Sequence, residues 1–452
     1  MLSLKKTSWA LVLVFFVFGG SAAAQVPDEG PTSIGFTAPD STQPVRAYRL
    51  PTWHWSRWTL GGNGDVGWAT RNTETQEESQ VSTSFRLNPR YTGFWEGEER
   101  SAFLTAAPTV SVNTSRSTSE SDDFGETEND RTNSLLAFDF QGQLREYVRG
   151  RTFVLADGAA DLLFRRDHRG PENTVTNIDS DVDLNARLGV GVGRVRVVTP
   201  VIRALRVRER LREVAPGASL SDDRVQAAAR QLARRPGYEA VYDRPDKVFW
   251  RDFFEDAGLA DRSTFETFYV ADVLREPVGV RREGREAQIG MLGLYGRSLE
   301  RRERDGDLIE RTLDDTKSLG AFARGQWYRN LTLRHQIGVD VRGEYTDFLN
   351  SSDRYEAKMI GQWLWVLADR VRLDTELHSS LTVIEGREED YLTNQQHILS
   401  SDLLYFVENS LSLSAGGNLT YGNSEGLGGD SQSDWNLGLQ FQVTYVLSRA
   451  LR

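Results

Sequence analysis

The sequence predicts an all-β fold, a transmembrane antiparallel up-and-down β-barrel of about 14 strands (12–16 fit) with a small α-helical insert. Three observations predict it. First, segments with a two-residue apolar period recur along the chain. In 435–447, Trp435, Leu437, Leu439, Phe441, Val443, Tyr445 and Leu447 alternate with Asn436, Gly438, Gln440, Gln442 and Thr444. Successive side chains of an extended chain point to opposite sides, so this is a strand with one apolar face. Second, the connections alternate between tight turns and long polar stretches. Third, the strands run longer than the roughly 3–10 residues usual in soluble sheets.

In chain order, 1–24 has the build of a secretory signal: Lys5 and Lys6, an apolar run from Trp9 to Phe18, then small residues to Ala24, with cleavage before Gln25. The run is shorter than the about 20 residues a spanning helix needs. No Cys follows it, which excludes a lipid-anchored N-terminus, and the whole chain has none. Residues 25–52, with five prolines, read as an extended leader on the periplasmic side. Strands 1–6 are expected in 53–198 and strands 7–14 in 281–452, the clearest at 182–192, 331–345, 371–383, 411–421 and 435–447. Long polar loops are expected at 71–78, 116–132, 167–178, 301–316, 386–394 and 422–432.

Residues 199–280 break the two-residue period. Thr199-Pro200 reads as an N-cap with Pro at the first helical position. A second helix starts at Ser221 and ends at Pro236-Gly237, a third starts near Asp246, and Ser263-x-x-Glu266 is a capping box for a fourth. Reading 265–280 as a strand would make fifteen, against the even number of bacterial barrels, so the segment is assigned to a helical insert on the short-turn, periplasmic side.

With these features the chain resembles bacterial outer-membrane β-barrel proteins over nearly all of 53–448. The resemblance implies a Gram-negative outer-membrane location, contact with the lipid bilayer and lipopolysaccharide, and aromatic girdles, for which Trp435, Tyr445, Tyr345 and Tyr421 are the candidates. It departs from the pattern at the end: such barrels commonly finish on an aromatic residue, and this chain ends in SRALR. The competing fold is a secreted β-sandwich whose apolar faces pack together.

If the apolar face meets lipid, the other face lines the lumen: Asp183, Arg187, Arg334, Asp340, Arg342, Glu344, Arg372, Asp374, Glu376 and His378. Mixed charge of this kind fits a hydrated pore or a closed plug, and about fourteen strands favours an aqueous lumen. Arg203, Arg206, Arg208, Arg210 and Arg212 form a basic patch in the insert, suited to lipid phosphate, peptidoglycan or an acidic periplasmic partner, or else paired with nearby carboxylates. The net charge of −11 argues against nucleic acid.

No cofactor or metal is expected: the five His residues lack ligand spacing, and the acidic 116–132 stretch reads as a solvated loop. His378 and Ser380 have the spacing of a lipid-hydrolase pair, but they share a strand face with lumen residues, so the chain is not expected to be an enzyme. The expected function is a pore or export conduit with a gating or docking insert. A non-conducting structural or adhesion barrel is the alternative, and a lipid hydrolase the third.

Overall fold

The computed structural model describes residues 43–445, apart from 74–75, 122–124, 172–173, 215–219, 260–262, 277, 349–351, 387–390, 409–410 and 427–430. The signal segment, most of the leader, Asp122 and Asp123, and the SRALR end lie outside the described residues. Fourteen strands form one sheet in which each pairs antiparallel with its neighbour in sequence, β1 (Trp53–Thr73) through β14 (Ser431–Tyr445). This is the up-and-down topology the alternation predicts.

The strands outrun the apolar pattern. β1 continues to Thr73 and β2 begins at Gln76, while β3 (Arg100–Ser121) and β4 (Gly125–Arg149) pair as far as Ser121↔Gly125. The expected loop at 301–316 is the tip of a hairpin: β7 (Arg282–Arg304) and β8 (Asp307–Asn330) meet at Asp305-Gly306, both at positive φ (53° and 88°). That is the geometry a two-residue hairpin turn requires. The other long polar stretches shrink in the same way. Where both faces of a ribbon meet water, no apolar period marks it as a strand.

Cross-strand contacts settle which face is concave. Arg145 on β4 reaches Glu286 on β7 (2.8 Å), and Arg187 on β6 reaches Glu344 on β9 (3.3 Å). Each pair bridges two intervening strands, which only a concave face allows. Between them Phe153, Leu155, Leu292 and Phe322 form a small buried cluster. The ring of Phe153 lies over Gly191, where a Cβ would stand 2.3 Å from it, and Gly193 takes φ +96°. The closely spaced glycines of 189–193 thus serve close packing and a bend.

The convex face carries Trp58, Leu60, Phe85, Leu136, Leu188, Met291, Leu377, Leu399 and Phe441, all exposed. Nothing in the described chain packs over it, which rules out the two-layer sandwich. Among the described residues no ladder joins β1 to β14, and these outer strands are exposed on both faces; Phe441 is 82% exposed.

The insert leaves β6 (Val175–Val197) and returns to β7. It comprises α2 (Thr199–Val214), α3 (Asp222–Val241), α4 (Pro245–Asp256) and α5 (Thr264–Arg275), with α1 (Gln43–Ala47) from the leader packed beside them. The leader is therefore helical for one turn rather than extended throughout. Val45, Tyr48, Ile202, Leu205, Leu211, Val225, Phe249 and Phe253 make the main buried core. The capping box at Ser263/Glu266 is present. Two expectations fail here. α3 runs through Pro236 to Val241, and Gly237 sits against Trp53 and Trp55 of β1; packing outweighs the lost hydrogen bond. The Thr199 hydroxyl does not cap α2: it accepts from Arg281 N–H (2.7 Å) and donates to Gly279 O (3.4 Å), tying the two ends of the insert together.

Candidate functional site: the capped mouth and the charged concave face

The insert covers the end of the sheet that holds the short turns. It is fastened at separated strands, α3 against the start of β1 and its core around Leu333 of the β8–β9 turn, while beside it Arg194 and Arg196 of the β6 end bind Glu96, Gly97 and Glu98 at the β2–β3 turn and Arg281 binds the β8–β9 turn. Arg210 of α2 pairs with Asp369 of the β10–β11 turn. With β1 at one edge and β10–β11 well past the middle of fourteen strands, the helices stretch across the mouth rather than hang beside it.

Arg281 is the pivot. It is fully buried, and it donates from Nε to Val278 O (3.0 Å) and from Nη2 to Leu333 O (3.3 Å) and Arg334 O (2.9 Å). Burial, with Arg206 and Arg372 close by, pulls its pKa down to about 9. Carbonyl acceptors hold a guanidinium that no carboxylate pairs directly. Glu98, at the opposite fastening, is pushed up by burial but held below its ordinary value by hydrogen bonds from Arg196 and the Leu50 N–H.

The expected lumen residues fall as follows. Asp340 accepts from Arg324 (3.0 Å at Nε) and Gln326 (2.7 Å). Arg342 and Arg187 both reach Glu344. Arg372 binds Asp374, and Glu376 accepts from Gln362 and contacts His378. Asp183 stands opposite Asp161 in the β5–β6 ladder. By register these share the concave face of Arg187 and Glu344. Arg334 does not. The strand expected at 331–345 begins at His335 (β9, His335–Phe348), and 331–334 form a bend in which Thr332 Oγ1 accepts from the Arg334 and His335 N–H groups. Leu333, in step with the apolar period, is buried in the insert core instead.

Three arginines of the basic patch are paired with carboxylates. Arg206 pairs with Glu276, Arg208 with Asp222 (2.5 Å), and Arg210 with Glu213 (3.1 Å), Glu276 and Asp369. Burial and the neighbouring Arg235 push the pKa of Arg203 down, and Arg212 is not free of contacts. Pairing with carboxylates thus holds for Arg206, Arg208 and Arg210. In the acidic stretch, Arg116 pairs with Glu128 and, at 3.7 Å, Asp130. Among the described residues no three His, Asp or Glu side chains gather as a metal site.

On the convex face aromatics gather at two levels. Tyr345 meets Tyr355 (5.0 Å) and Tyr421 meets Trp435 (4.6 Å) near the long-hairpin end. Trp363 stacks on Trp365 (5.7 Å) near the short turns. Tyr355 and Trp365 lie on one face of β10, which at about 3.3 Å per residue and a tilt near 40° separates them by roughly 25 Å along the sheet normal to its rims. The Tyr445 side chain lies outside the described residues.

His378 and Ser380 point to the concave side and do not meet each other, His378 being bound to Glu376. A Ser–His contact that sequence reasoning missed lies on the convex face: Ser379 Oγ is 2.8 Å from His397 Nδ1, and His397 Nε2 is 2.7 Å from Gln395 Nε2. The two residues are paired in the β11–β12 ladder, whose backbone N–H groups are engaged between strands and offer no oxyanion site. The contact is read as a hydrogen-bonded cross-strand pair.

Fourteen antiparallel strands in chain order, a convex apolar band between aromatic rows and a polar concave face define the fold class of outer-membrane up-and-down β-barrels. No family model matches the sequence, and no curated protein does. Among solved structures, the chain aligns with the translocator domain of the autotransporter NalP from Neisseria meningitidis at 9% identity, covering 78% of this chain and 88% of that one, with a TM-score of 0.25. It aligns with the CymD monoaromatic hydrocarbon channel at 8% identity over 89% and 91% of the two chains, TM-score 0.26. A third is OccK2 (OpdF) of Pseudomonas aeruginosa, solved with glucuronate, at 8% identity, 88% and 100% coverage and TM-score 0.23. At such values the functional reading rests on this chain's own residues.

Proposed function

We propose that the chain is an outer-membrane conduit whose periplasmic mouth is capped by the 199–280 insert, the insert deciding when solute passes. The observation that carries this is the fastening of one helical body to β1, to Leu333 of the β8–β9 turn and to Asp369 of the β10–β11 turn, so that it lies across the mouth. In the bilayer the free edges of β1 and β14 pair with each other, because an open strand edge has no hydrogen-bond partner in hydrocarbon. The insert and short turns face the periplasm, and the long hairpins project from the cell.

The concave charges then line the water path. Arg324–Asp340, Arg342–Glu344 and Arg372–Asp374 set opposed charges along the wall, which screens solutes by charge and size. The cluster around Phe153 and Phe322, braced by Arg145–Glu286 and Arg187–Glu344, narrows the side formed by β4–β9. In a planar bilayer the purified chain shows infrequent stepwise openings. A correctly folded barrel that stays silent at all voltages overturns the conduit in favour of a structural or adhesive barrel.

A further inference from the structure

Four arginines without a counter-charge gather outside the insert helices. They meet in a cavity of about 260 Å³ at the short-turn rim, between α1, the β4–β5 turn and the ends of β6, β7 and β8. Arg46, Arg151, Arg285 and Arg329 line it, each from a different element, and each is exposed toward solvent. Among the described residues none of the four has a carboxylate partner. The other two arginines of the wall, Arg194 and Arg196, are spent on Glu96 and Glu98. The one lining carboxylate, Glu283, accepts from Asn330 N (2.7 Å) and Nδ2 (2.9 Å). Four guanidinium groups sharing one concavity repel one another unless an anion sits among them.

The surroundings indicate which anion. Arg285 and Trp327 are partners in the β7–β8 ladder, and Arg329 lies two residues beyond on the same face. That face carries Met291, Ile289 and Leu319 further along, so the arginines stand where the apolar band ends at the short-turn rim. This is the depth of the headgroup phosphates of the adjoining leaflet, with Trp327 at the interface. A guanidinium fork matches two phosphate oxygens at once, and the cavity has room for a glycerophosphate group.

We propose that this rim cavity binds the phosphate of an anionic phospholipid of the periplasmic leaflet. The lipid docks the leader helix α1 and the bent ends of β6 and β7 against the membrane. This rests on the reading of the convex face as lipid-facing.

The test uses the full chain, reconstituted in phosphatidylcholine vesicles with or without phosphatidylglycerol, then extracted gently and weighed by native mass spectrometry for retained lipid. Wild type retains phosphatidylglycerol in preference to phosphatidylcholine. The double variant Arg285→Ala/Arg329→Ala lowers that retention roughly tenfold or more. The lysine pair R285K/R329K, which keeps the charge and loses the fork, falls between them and guards against misfolding as the cause. Equal retention by wild type and the alanine variant overturns the site. Displacement of the lipid by millimolar inorganic phosphate overturns the lipid as the source and leaves a free phosphate anion. Flotation with pure phosphatidylcholine vesicles is scored on the same samples. A chain that fails to float contradicts the membrane reading, whereas one that floats without lipid preference contradicts the cavity alone.

Discussion

Replacing 199–280 with a short turn is expected to leave a folded barrel whose single-channel conductance is roughly threefold or more above that of the intact chain. The excision is local. Val197 pairs with Arg282, and Val198 N–H donates to Arg281 O at 2.8 Å, so β6 and β7 already meet where the turn would join them. The insert's core is its own, apart from Val45, Tyr48, Val198 and Leu333, and the strands do not depend on it for their ladders. What the deletion removes is the body across the mouth and its tie to Asp369. Bilayer recordings of the two proteins under one salt and voltage protocol decide it. Equal conductance and equal open time would mean that the insert does not obstruct the path.

Met291→Arg is expected to cost about 2–4 kcal/mol in a bilayer, the usual cost of a cation at mid-depth on a lipid-facing strand. Met291 is 66% exposed, flanked in the ladder by Leu188 and Ala321, and nothing in the described chain covers it. In water an arginine at so exposed a position changes stability by no more than about 0.5 kcal/mol. Reversible urea unfolding in lipid vesicles therefore reads the solvent of this face directly. Destabilisation within the water range contradicts contact with hydrocarbon.

The parts of the fold legible in the sequence were those where the two faces of a strand meet different solvents. β9, β11 and β14 announce themselves because Val339, Val341, Leu373, Leu377, Leu439 and Phe441 alternate with charged or polar residues. Strands β7 and β8 disappear from view toward their hairpin tip, where 300–304 and 310–312 are polar on both sides yet the ladder continues to the turn at Asp305-Gly306. The insert's helices were legible from caps and spacing, but Pro236 misled, because the contact of Gly237 with Trp53 and Trp55 is tertiary.

The candidate site was less legible, since its partners are remote in the chain. Arg145 meets Glu286 and Arg196 meets Glu98 across intervals that no local spacing rule spans. A dense run such as Arg203–Arg212 attracts notice in a sequence, yet helical packing supplies Glu213, Asp222 and Glu276 to most of it. Arg46, Arg151, Arg285 and Arg329 are single residues in four segments, and only the sheet register and the seat of α1 bring them together.

The account depends most on the claim that the convex face meets lipid and the concave face water. The chain contains no cysteine, so single-cysteine variants at 339, 340, 341 and 342 of β9 can each carry one environment-sensitive fluorophore in vesicles. Quenchers fixed to lipid acyl chains are predicted to extinguish positions 339 and 341 and spare 340 and 342, with a water-soluble quencher giving the opposite order. Four positions quenched alike, or 339 and 341 reached only from water, would contradict it.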